Sequence, residues 1–150
     1  MERTDEYFMR QALLLAREAM EQDEVPVGAI VVCDGVQIAA AANRRERDGL
    51  ATAHAEILAI EAACRALGRW RLSDCTLYVT LEPCPMCAGA LINARMGRVV
   101  FGAKDAKAGA CGSVLNMDAY PLNHRLRAES GLLAQECASV LSAFFERKRK

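Results

Sequence analysis

No stretch of this 150-residue sequence approaches the roughly 18 consecutive apolar residues that a membrane-crossing helix needs, so no membrane span is expected. The N-terminus, Met1 to Glu6, is acidic and lacks the basic start and apolar run of a secretory signal. The expected location is therefore the cytoplasm, where thiols stay reduced. There is no internal repeat, low-complexity tract or linker-like stretch. At this length one domain, spanning 1–150, can bury about two thirds of its unfolded surface. Nor is there any net charge: 19 basic and 19 acidic side chains cancel, which at first argues against a polyanionic partner.

The cancellation hides an asymmetry. Residues 1–90 carry 9 basic and 14 acidic side chains, whereas residues 91–150 carry 10 and 5. A polarised surface can still hold a nucleic acid, although the closing Arg147-Lys148-Arg149-Lys150 reads equally well as a solvated helix end. With 53% apolar and 25% charged residues, the chain is too apolar to be intrinsically disordered. Seven cysteines, an odd number in a chain of this size, suggest metal ligands or packed small residues more than a disulfide framework.

Hydrophobic periodicity predicts the elements. Residues 5–22 place Phe8, Ala12, Leu15, Ala16 and Ala19 on one helical face, with Thr4 as cap. Residues 27–33 and 36–42 are apolar runs joined at Asp34-Gly35, a hairpin turn pair, and should lie antiparallel. A polar, arginine-rich loop over 43–50 leads to Thr52, read as the cap of a helix that ends at Leu67 before Gly68. Residues 76–81 form a strand, and Pro85 fits the first turn of a helix reaching Ala94. A strand over 98–103 and a helix over 132–145 follow, with 104–123 left open. Strands alternating with helices imply a layered α/β domain around a mixed sheet.

Two short motifs carry chemistry: His54-Ala55-Glu56 and Pro83-Cys84-Pro85-Met86-Cys87. Cysteines two residues apart grip a metal or form a redox disulfide. A structural zinc normally needs four protein ligands, and no second cysteine or histidine pair exists. Cys33, Cys64, Cys75, Cys111 and Cys137 stand alone in sequence, as does His124. Three ligands plus an open position is the composition of a catalytic zinc. Both ligand groups begin predicted helices, whose N–H dipoles favour thiolates. His54 and Glu56 reach one water only if His54 lies at the helix start, where a cap at Thr52 puts it. A thioredoxin-like redox site has the same strand, Cys-x-x-Cys, helix order but no use for His-x-Glu. A noncatalytic zinc module is the other rival.

The combination of His-x-Glu with Pro-Cys-x-x-Cys resembles the zinc-dependent cytidine/deoxycytidylate deaminase superfamily. The wider pattern is similar to the bacterial tRNA-specific adenosine deaminases: Asn43, Thr52 to Glu56, Leu77 to Cys84, Gly97 to Asp105, Lys107 to Ser113, Asn123-His124-Arg125 and the helix ending Phe144-Phe145. One departure stands out, since the family has Asp-Pro before Thr52 and this chain has Leu50-Ala51. The resemblance implies a three-layer cytidine-deaminase-like fold, a mixed sheet with helices on both faces. It implies one Zn2+ per chain on His54, Cys84 and Cys87, with Glu56 as proton shuttle in hydrolytic deamination of adenosine to inosine at the wobble position of a tRNA anticodon stem-loop. It further implies that Asn43 bonds the inserted nucleoside, that Lys104, Asp105 and Lys107 border the nucleotide groove, and that the chain is a homodimer. The alternative within the same chemistry is deamination of free guanine or cytosine. Arg44, Arg45 and Arg47 read as a phosphate-facing rim or an ordinary charged loop. Cys33, Cys64 and Cys137 read as packed small residues, Trp70 and Tyr78 as core, and His124 as structural or RNA-facing.

Overall fold

The two runs around Asp34-Gly35 pair as expected. Strands β1 (Gly28–Cys33) and β2 (Val36–Ala42) are antiparallel, and Asp34 and Gly35 turn between them at φ 54° and 76°. The computed structural model describes residues 3–149, so Met1, Glu2 and the final Lys150 of the basic tail lie outside the described residues. The other edge of β1 pairs antiparallel with β3 (Cys75–Leu81), placing Cys33 opposite Cys75. Parallel pairing then adds β4 (Arg98–Ala103) and a short β5 (Ala128–Ser130), giving the order β2-β1-β3-β4-β5.

Alternation along the strands builds two cores, one on each face of the sheet. Ala29, Val31, Leu77, Val79, Val99 and Phe101 point to one side, where α3 (Ala55–Leu67) contributes Ala55, Ala59 and Ala63 and α4 (Pro85–Asn93) contributes Ala88, Leu91 and Ile92. Ile30, Val32, Tyr78 and Val100 point to the other, against Phe8, Met9, Ala12, Leu13 and Ala16 of α1 (Asp5–Glu21) and Cys137 and Val140 of α5 (Ala134–Lys148). This is the three-layer, cytidine-deaminase-like arrangement. Helix α1 lies so close to the sheet that a Cβ on Gly28 would sit 2.0 Å from the Ala12 carbonyl oxygen, so only glycine fits the start of β1.

Several sequence expectations need correction. Thr4 does cap α1, its hydroxyl accepting from the Tyr7 N–H at 3.2 Å, but Leu15 is only half-buried while Met9 and Leu13 are enclosed. Thr52 is not the cap of α3. The chain turns through Leu50–Ala53, with the Ala53 N–H on the Leu50 carbonyl, so the helix starts later and His54 itself occupies the N-cap. The departure at Leu50-Ala51 therefore lies in a tight turn, with Leu50 exposed. The 43–50 loop contains a single helical turn, α2 (Arg45–Asp48), closed by Gly49 at φ 64°. Strand β5 carries no alternation and was not expected. Helix α5 runs on to Lys148. Trp70 is exposed, its ring 5.0 Å from the Arg71 guanidinium, whereas Tyr78 is core, and Cys33 and Cys64 are half-buried rather than enclosed. His124 is half-buried, with Nε2 2.6 Å from the Met96 carbonyl oxygen.

Candidate metal centre and active site

Two helix starts face each other at the ends of β1 and β3. His54 at the N-cap of α3 and Cys84 at the N-cap of α4 both have extended backbones, and Pro85, which has no N–H to lose, begins the first turn that carries Cys87. The ring nitrogen Nδ1 of His54 lies 3.4 Å from Cys87 Sγ and 3.7 Å from Cys84 Sγ. These three donor atoms lie within 4.8 Å of one another, and one nitrogen with two sulfurs, all converging, is a donor set that suits zinc.

The protonation of this group fits a cation. The Cys87 thiol donates to Cys84 and, against the effect of burial and with help from His54, holds the Cys84 thiol down at about 4. Cys87 is pushed up by that same bond and by burial, and His54 is raised by its contact with Cys84. The cluster thus carries a thiolate and shares protons that a metal ion would displace. Beside it, Glu56 is 4% exposed, and burial pushes its carboxyl up to about 7 against the pull of its own backbone N–H and of His54. A carboxyl poised near neutrality can both accept and donate a proton.

His54, Glu56 and Cys84 open onto a cavity of about 160 Å³ with apolar walls from Val25, Val27 and Leu81. Of the residues expected to meet substrate, Asn43 and Asp105 line it, while Lys104 and Lys107 are exposed and do not. The Asn43 amide donates to the Val25 carbonyl at 3.2 Å and accepts from the Arg45 N–H at 3.1 Å, leaving one further hydrogen and one lone pair for a ligand. Asp105 accepts from the N–H groups of Lys107 and Ala108, so its side chain shapes its own loop. Arg45 lines the cavity, and Arg44 is paired with Asp48. Sequence reasoning gave no role to Glu24, Glu82, Val25 or Val27. Glu82, directly before the Pro-Cys motif, was the one with a visible signal.

Among the described residues a second trio, Cys33, Asp74 and Cys75, also has its donor atoms within 4.8 Å. Here the Asp74 carboxylate is already held by both oxygens on the Arg69 guanidinium, at 2.8 and 3.0 Å. Burial and the neighbouring Cys33 push the Cys75 thiol up to about 12. Both thiols lie beside this ion pair as hydrogen-bonding neighbours of the Asp74 carboxylate.

The family model for MafB19-like deaminases matches residues 3–149. The tRNA-specific adenosine deaminase of Bacillus subtilis (strain 168) is 50% identical over 147 residues, which span 97% of this chain and 91% of that relative. A solved structure from work on A-to-I editing by tRNA:A34 deaminases at the wobble position of transfer RNA is 48% identical, with TM-score 0.88 over 90% of this chain and 99% of that one. A guanine deaminase from Nitrosomonas europaea is 28% identical, with TM-score 0.80 over 96% of this chain and 85% of that one.

Proposed function

This chain belongs to the tRNA-specific adenosine deaminases, within the MafB19-like deaminase family, and from that premise we propose that it hydrolyses the wobble adenosine of a tRNA anticodon to inosine. The observation that carries the proposal is the convergence of His54, Cys84 and Cys87 beside a buried Glu56 at the floor of a small cavity. The 150 residues are read as one deaminase domain, working in the cytoplasm.

His54, Cys84 and Cys87 would hold one zinc ion. When bound there, zinc supplies the Lewis acidity that makes hydroxide available from water near neutral pH. Glu56 moves the protons: it takes one from the water whose oxygen adds to C6 of the base and delivers it to N1, then carries the remaining hydroxyl proton to the amino group, so that the C6–N bond breaks, ammonia leaves and C6 keeps a carbonyl oxygen. Val25, Val27 and Leu81 exclude water around the base, and Asn43 offers it the remaining hydrogen-bonding capacity of its amide. A base must leave its stack to enter such a cavity, and an unpaired anticodon-loop base does so at least cost. Asp105 borders the entry, with Lys104 and Lys107 outside it for flanking phosphates. The family resemblance makes a homodimer the expected assembly.

The test is to incubate the zinc-loaded protein with a tRNA transcript bearing adenosine at the wobble position, and separately with free guanine and cytosine, and to assay inosine and ammonia. Inosine at that position alone is the expected result, with affinity falling steeply as salt rises. The 28% identity and shared fold of a guanine deaminase keep a free-base reading as the second candidate. Ammonia from a free base, at a rate indifferent to salt and with the tRNA untouched, would replace the first reading by the second.

A further inference from the structure

Two glutamates that the chemistry does not use are more deeply buried than Glu56. Glu24 is 0% and Glu82 2% exposed. A buried carboxylate is costly unless its oxygens are satisfied, and both are satisfied in one way: each accepts hydrogen bonds from the backbone of a loop that walls the cavity. Glu24 accepts from the N–H of Glu46 at 3.0 Å and of Arg47 at 2.7 Å. It thereby holds the turn that carries Arg45, and Asn43 is tied to the same segment through Val25 and Arg45. Glu82 accepts from the N–H groups of Asp105, Cys111 and Ser113 at 3.0, 2.9 and 3.1 Å and from the Ser113 hydroxyl. It holds the loop that brings Asp105 and Ala108 to the opposite wall.

We propose that Glu24 and Glu82 are positioning residues, a pair of buried anchors that separately fix the two loops forming the mouth of the substrate cavity and so set its fit to RNA. Neither loop has a strand or long helix of its own to hold it. The region from 104 to 123 contains only a 3-10 turn at Met117–Ala119 and one isolated bridge, so Glu82 replaces the missing ladder. The loop backbone passes so near that a Cβ on Gly109 would lie 2.4 Å from the Glu82 carboxyl carbon. The Ser113 hydroxyl and the three N–H groups all converge on the two Glu82 oxygens. An apolar side chain in either place could fill the space but could not receive the loop amides.

The role in RNA fit rests on the tRNA reading above, so the test has one arm that uses RNA and one that does not. In zinc-loaded Glu82→Gln, one oxygen becomes an amide donor. The Cys111 and Ser113 N–H groups keep the remaining oxygen, the Ser113 hydroxyl can reverse, and the Asp105 N–H is left facing another donor. Hydrogen–deuterium exchange should then accelerate at 105–113 and stay unchanged at 46–47, and Glu24→Gln should show the reverse. On an anticodon stem-loop RNA, Glu82→Gln should raise KM about tenfold with kcat altered less than about threefold and zinc content unchanged. Gly109→Ala, which pushes the loop off the carboxylate, should reproduce both effects. Val140→Ala destabilises the opposite core and should leave KM unaltered. Unchanged exchange at 105–113 in Glu82→Gln would overturn the anchoring. A wild-type KM, or a KM that shifts equally in Val140→Ala, would reduce Glu82 to general stability. If the wild-type protein deaminates no stem-loop, the tRNA reading fails instead, and the exchange arm still decides whether the loops are anchored.

Discussion

Each end of β3 gathers two sulfurs and a third donor, and the two clusters behave differently. At the end that leads into α4, His54, Cys84 and Cys87 converge from two helix starts, one thiol is held down at about 4, and a buried carboxyl stands beside an open cavity. At the beginning of the strand, Cys33 and Cys75 face each other across the sheet, Cys75 is pushed up to about 12, and the carboxylate of Asp74 is held by Arg69. Proximity is the same in both. What separates them is whether the donors have other partners, whether the local field favours the charged sulfur, and whether there is room for a substrate. Helix starts supply that field at Cys84, and nothing comparable acts on Cys75.

The largest effect should come from attacking the first cluster. Cys84→Ala removes a ligand and should abolish bound zinc and deaminase activity together, measured by metal analysis and inosine formation. Glu56→Ala should separate the two: zinc stays at one per chain while turnover falls by about 10² to 10⁴, the usual worth of positioned acid–base catalysis. A Glu56→Ala protein with full activity and its zinc in place would sink the mechanism. At the second cluster the same chemistry should have no such consequence. Cys75→Ser should leave zinc at one per chain and activity unchanged, and lower stability by about 1 kcal/mol through placing a hydroxyl in a site 2% exposed. Loss of a metal equivalent in that variant would erase the distinction.

The difference between the clusters was only half legible in the sequence. His-x-Glu and Cys-x-x-Cys are local patterns, so His54, Glu56, Cys84 and Cys87 could be singled out directly as candidates, and Pro85 marks the start of the second helix. Cys33, Asp74 and Cys75 come together through a strand register that no local signal specifies. Thr52 misled because a capping side chain was present but the turn through Leu50–Ala53 delays the helix to Ala55. The four strands with strong apolar runs were found almost to the residue, whereas β5, three half-exposed or exposed residues paired only on β4, has no periodicity to find. Asn43 shows the limit at the site itself: its position was legible, but not that its amide is already spent in part on Val25 and Arg45. Glu24 looks like an ordinary surface charge in sequence, and Glu82 is marked only by its place before the Pro-Cys motif, since nothing local shows that their partners lie more than twenty residues away.

The smallest predicted effect sharpens the comparison through acid stability. Glu82 and Asp74 both have carboxyls below their ordinary values of 4.5 and 3.8. At Glu82 burial opposes the shift and the loop donors outweigh it, whereas Asp74 owes its shift chiefly to the exposed Arg69. A carboxyl lowered on folding contributes stability that is fully present above its ordinary value and is lost as pH falls through the folded one. Unfolding free energy followed by denaturant titration from pH 6 downwards, in steps through the region of about pH 4, should therefore decline in the wild-type protein. Glu82→Gln should flatten that decline, because the buried carboxylate that must be protonated is gone. Asp74→Asn should leave the curve almost superimposable on the wild type, since its partner is solvent-exposed and water and salt screen the pair. A flattening by Asp74→Asn equal to that of Glu82→Gln would mean that the ion pair beside Cys33 and Cys75 stabilises the fold as strongly as the buried anchor, and the contrast between the two ends of β3 would no longer hold for charge.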